Sequence, residues 1–162
     1  MKRLYLFSAM LFGFLAYSLT VQCQQITVQT DGGKQVLLTR VDIEGLPHVE
    51  VTASEHSSVP VTFEGVALKG VLEKAGVTFG ESMRGKRLSN CLLIEAADGY
   101  RAVIALPELD PAFTDKQTLL AFLRDGKPLV EKEGPYRIVI PDEKRMARWV
   151  RQVTTLKIVD VQ

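Results

Sequence analysis

Residues 90–106 read NCLLIEAADGYRAVIAL, and their pattern decides the fold class. Two short apolar runs flank the turn signal Ala97-Asp98-Gly99. Runs of this length bounded by a turn read as strands, because a helix needs roughly ten or more residues of sustained periodicity. The stretch is therefore strand, tight turn, strand.

The same reading extends in both directions. Toward the C-terminus, TLLAFLRDGKPL is an apolar run followed by a second Asp-Gly turn, GPYRIVIP (134–141) is a buried strand ended by proline, and TTLKIVDV (154–161) is the last strand. PELDPAF is irregular, since Pro107 and Pro111 lack a backbone donor. Toward the N-terminus, ESMRGKR (81–87) reads as a polar connection. VALKGVLEKAG places Leu68, Val71, Leu72 and Ala75 on one helical face, with Gly76 as its stop. VTFEG (61–65) is extended and turns at Gly65, and HVEVTAS (48–54) alternates with Val49, Val51 and Ala53 inward. ITVQT (26–30) is a strand, DGGK a turn and Gln35 to Leu38 a second short strand. Thr39 caps a short helical turn that Pro47 stops. Many short strands, one firm helix and no dividing linker give an α+β class with mixed sheets in one compact domain.

The first 23 residues read as a signal peptide. Lys2 and Arg3 precede a 16-residue apolar run from Leu4 to Leu19, which is short for a membrane span of about 20 residues. The expected cut follows Cys23, leaving 24–162 as the mature domain. A cut after Thr20, lipidation of Cys23 and a retained anchor are the alternatives. Cleavage would remove Lys2 and Arg3 but no acid, so the formal charge of +1 becomes −1. That balance excludes a general nucleic-acid binder, and no stable membrane insertion is expected after cleavage. Cys91 would be the one remaining cysteine, so the domain must be held by its core without an internal disulfide. Preceding LLIEA, Cys91 reads as a buried small hydrophobe.

The residues give little local sign of a reaction. His48, His56 and Cys91 have no zinc-ligand spacing. No serine sits in a nucleophile elbow, and DGGKQ is not a phosphate loop. Two polar regions remain. Asp98, Tyr100 and Arg101 form either an ordinary hairpin or part of a ligand site. EKRMARWVRQVTTLKI (143–158) sets five basic residues around Trp149. Arg145, Arg148 and Arg151 are either the wet face of a segment anchored by Met146, Trp149, Val150 and Val153, or a site for an anion or planar ligand.

The series LPHVEVTAS, FEGVALKGVLEKAG, IEAADGYRAVIALPELD and DGKPLVEKEGPYRIVIPDEKRMARWVRQVTTLKI resembles the molybdopterin-binding domain of sulfite-oxidase-like oxidoreductases, including bacterial periplasmic members. The resemblance covers roughly residues 34–160. It implies a mixed α+β domain, export, and a molybdenum held by a pterin dithiolene and one protein thiolate. It places that cysteine in the loop after HVEVTAS, which here reads EHSSVPVT and has none. Cys91 lies past the helix and does not match. The long N-terminal portion of enzymatic members, which helps enclose the pterin, is not matched before the shared pattern.

The resulting expectation is an exported, non-catalytic domain of this type that binds a small anion or a protein partner. Two alternatives stand beside it: a molybdopterin-dependent oxidoreductase with atypical ligation or completed by a partner chain, and a structural or interaction module of the cell envelope. No catalytic or metal residue is assigned and no cofactor is expected. The candidate binding residues are His56, Asp98, Tyr100, Arg101, Arg145 and Arg148.

Overall fold

The computed structural model describes residues 24–55, 59–141 and 143–161. Its elements in chain order are β1 (Gln25–Gln29), β2 (Gln35–Thr39), α1 (Arg40–Glu44), β3 (His48–Ser54), β4 (Pro60–Ala67) and α2 (Leu68–Lys74). These are followed by β5 (Cys91–Ala96), β6 (Arg101–Ala105), β7 (Leu119–Arg124), β8 (Lys127–Pro128), β9 (Arg137–Val139) and β10 (Val153–Val159). One sheet has the order β2-β1-β10-β5-β6, and the second β3-β4-β7-β8, with β9 also pairing to β7. β1 runs parallel to β10 and the other pairings are antiparallel, so the first sheet is mixed.

A single core lies between these layers. Ile26, Val28, Leu92, Ile94, Leu156 and Ile158 enter it from the first sheet, and Phe63, Val66, Leu120 and Ile138 from the second. α2 adds Leu68, Val71 and Leu72, which its helical spacing brings to one face. Gly76, at φ +98°, follows the end of α2 in a conformation that glycine adopts without strain. Thr39 caps α1 as expected: its hydroxyl accepts from the Asp42 N–H while the Asp42 carboxylate accepts from the Thr39 N–H.

Four local expectations change. The connection after α2 carries two 3-10 turns, Gly80–Ser82 and Gly85–Ser89, pinned when Arg87 reaches Asp31 and the Thr78 carbonyl. A third, Leu106–Leu109, sits where the prolines suggested irregular chain. β9 is shorter than GPYRIVIP, with three paired residues. Gly65 is not a turn: β4 runs through it, and a Cβ there would strike the Leu120 carbonyl and Ala121 of β7. Glycine is needed because two backbones approach at a register shift.

Between β9 and β10 the chain forms a strap, residues 143–151, that crosses the end of the second sheet. Trp149 anchors it. Its ring meets Phe63 edge-on at 5.9 Å, and its indole N–H donates to the Ile140 carbonyl at 3.0 Å. Met146, Val150 and Val153 join Trp149 against the core, as the sequence pattern indicated.

Candidate anion-binding cleft

The strap, the tip of the β5–β6 hairpin and β9 enclose a cleft of about 600 Å³. Its floor is Arg137 and Trp149, and its walls carry Asp98, Tyr100, Met146 and Ala147. Lys144, Arg145 and Arg151 stand on its rim, exposed and without an ion-pair partner among the described residues.

Arg137 is the least expected of these residues. It is 1% exposed, yet charged. Nη1 lies 3.0 Å from Glu55 Oε1 and 3.0 Å from Glu133 Oε2. Arg124 bridges the same carboxylates at 2.9 and 3.4 Å. Two guanidiniums and two carboxylates balance, which is what allows burial of such charges. Phe63 and Trp149 pack on the Arg137 guanidinium at 5.0 and 5.6 Å. The balance leaves one group unserved: Arg137 Nε is buried and has no acceptor among the described residues. An unmet donor of a charged group beneath the cleft floor favours an oxyanion above it.

Of the six candidate residues, the cleft collects Asp98, Tyr100 and Arg145. His56 lies outside the described residues. Arg101 is on β6 and away from the cleft, its Nε 2.9 Å from Glu95 Oε1 on the neighbouring strand. Arg148 is also not a cleft residue. Its head turns the other way, with Nε 2.6 Å from Glu143 Oε1 and Nη2 3.3 Å from Glu108 Oε2. Burial works against its charge, but the hydrogen bonds it donates to Glu108 and Glu143 prevail and raise its pKa. The wet arginine head expected there is instead a half-buried ion-paired one. The candidates also omitted Arg137, Lys144 and Arg151; the last two were visible in the basic stretch around Trp149.

The donor set decides whether a molybdenum centre fits. Phosphate and planar ring chemistry suit the guanidinium and aromatic groups of the cleft. Among the described residues no protein thiolate lines the cleft. Cys91 is half-buried at the start of β5, in register with Ala105 and Val159. It is neither a cleft residue nor the fully buried hydrophobe expected. His48 has both ring nitrogens engaged, with Glu64 at 2.7 Å and the Glu44 carbonyl at 2.9 Å. No group of three or more His, Cys, Asp or Glu side chains among the described residues is placed to hold a metal. The described cleft residues therefore fit the anionic, planar part of the cofactor, and none of them supplies a thiolate for its metal.

One mixed and one antiparallel sheet pack over a single core, with cations gathered above buried aromatics at the cleft. The chain belongs to the oxidoreductase molybdopterin binding domain family, whose model matches residues 17–162. Among solved structures it is similar to the sulfane dehydrogenase SoxCD from Paracoccus pantotrophus, with a TM-score of 0.65 and 20% identity. That match covers 85% of this chain and 38% of the SoxCD chain. No curated protein matches the chain by sequence. No helix among the described residues is long and apolar enough to cross a membrane.

Proposed function

We propose that this chain is an exported, non-catalytic member of its family that binds a small planar anion in the cleft beside Trp149. The observation that carries the reading is the buried Nε of Arg137 beneath three cations, Lys144, Arg145 and Arg151, all without partners among the described residues. Charge and aromatic surface converge there without a thiolate. Export is supported by Lys2, Arg3 and the apolar run that follows them. The mature protein then begins at Gln24.

The test uses protein purified from a host that makes and loads molybdenum cofactor. N-terminal sequencing reads the cut. Elemental analysis and pterin fluorescence read the metal and the ring separately. Binding of pterin-6-carboxylate is followed through Trp149, the one tryptophan in the chain. We expect saturable binding, weakened at least about tenfold when Arg145 and Arg151 are both changed to glutamate, and no stoichiometric molybdenum. Turnover of sulfite or a sulfoxide that tracks bound molybdenum would overturn the reading. The second reading is a cofactor site completed by a partner chain. It is supported by the fold that this chain shares with 38% of the SoxCD chain. Co-purification of a partner together with molybdenum would select it.

A further inference from the structure

We infer that the Tyr100 hydroxyl is a positioning group that clasps the cationic strap over the Arg137 floor, an inference that rests on the anion-binding reading above. Tyr100 is 49% exposed, so core packing does not account for its placement. Its hydroxyl donates to the Ala147 carbonyl at 2.6 Å, a short O–H···O bond to the middle of the strap. Close by, the Ala97 N–H donates to the Gln152 carbonyl at 3.0 Å. The hairpin tip thus grips the chain on both sides of Arg148, Trp149, Val150 and Arg151.

The tip is rigid enough for this role. Gly99 takes φ +84° and the Tyr100 N–H donates to Asp98 Oδ1 at 2.9 Å, so the turn fixes where the tyrosine leaves the strand. The strap's other bonds act differently. Trp149 ties it to Ile140 at its own base, and Arg148 ties it to Glu108 on the side facing away from the cleft. Among the described residues, Tyr100 links the cleft-facing wall to the first sheet by a side-chain hydrogen bond. Asp98 and Tyr100 were candidate ligand contacts; here Asp98 shapes the turn and Tyr100 acts through Ala147. Loss of one such bond raises the population of a loosened strap, and apparent affinity falls by the fraction of protein left competent.

The test is Tyr100→Phe, which keeps the ring and removes the hydroxyl. Amide hydrogen exchange across 143–151 is measured on ligand-free protein, beside thermal melts and titrations with pterin-6-carboxylate and inorganic phosphate. We expect strap exchange to rise about fivefold and each probe that wild type binds to bind about fivefold more weakly. The melting temperature should move by no more than about 3 °C. Arg101→Ala, one residue away but paired to Glu95, should leave strap exchange and affinity unchanged. Unchanged strap exchange in Tyr100→Phe overturns the clasp, as does undiminished affinity with a loosened strap. If wild-type protein binds neither probe, the anion-binding reading fails, and exchange alone still decides whether Tyr100 holds the strap.

Discussion

Replacing Arg137 with methionine tests the charge balance beneath the cleft. Methionine keeps most of the stem volume, so packing changes little and the charge is the main loss. Breaking a buried ion pair by removing one partner costs about 3–5 kcal/mol, because the other partner stays desolvated. Here two carboxylates are left, Glu55 and Glu133, but Arg124 still lies 2.9 and 3.4 Å from them. That residual pairing places the expected loss at the lower end, about 3 kcal/mol. Packing of the guanidinium on Phe63 and Trp149 is lost in the same step and is included in that figure. In urea, with a slope of about 1.5–2 kcal/mol per molar, the midpoint should fall by about 1.5–2 M. The double variant Arg137→Met with Glu133→Gln restores the balance of one cation to one anion and should recover roughly half of the loss. A loss below about 1 kcal/mol, or a double variant no more stable than the single one, would refute the balanced-cluster argument.

Trp149→Ala removes a ring that is 4% exposed and leaves the Ile140 carbonyl without its donor, so a loss of about 3–5 kcal/mol is expected in denaturant melts. Gly65→Ala drives a Cβ into the backbone of β7 and should cost more than about 3 kcal/mol; a normal melt would contradict the close approach of β4 and β7. His48 gives a pH signature. The Glu44 carbonyl first, then the Glu64 carboxylate, raises its pKa above the usual value near 6.5. Its stabilising contribution is therefore complete below about pH 6.5 and fades as pH rises through the higher folded-state pKa. The melting-temperature gap between wild type and His48→Gln should narrow from about pH 6 to pH 8.5, and a gap that widens would reverse the sign of this argument.

The parts of the fold that were legible in the sequence have local causes. Helical spacing of Leu68, Val71 and Leu72, the Thr39 cap and the two Asp-Gly turns are decided within a few residues of each site. The Arg101–Glu95 pair was also within reach. The tight turn Ala97-Asp98-Gly99, centred on Asp98, sets these two residues opposite each other, as the register shows. Arg137 was hidden for a different reason. It sits in an apolar run whose neighbours Tyr136, Ile138, Val139 and Ile140 are buried on both faces, so alternation carries no information there. Its partner Glu55 comes from the end of β3, a relation that only the tertiary fold creates. Arg148 was misjudged similarly, because its Glu108 partner lies 40 residues away in the chain. Gly65 read as a turn because its steric reason is the backbone of β7.

The parallel pairing of β1 with β10 has a consequence for how this chain is made. β10 is the middle strand of its sheet, flanked by β1 and β5, yet among the described strands it is the last in chain order. Until it arrives, the β1–β2 and β5–β6 hairpins are two separate half-sheets with an open seam between them. Closing that seam requires contacts between the earliest and latest strands, which makes completion slow relative to local hairpin formation. A nascent chain of this topology remains incompletely folded until its final strand is available.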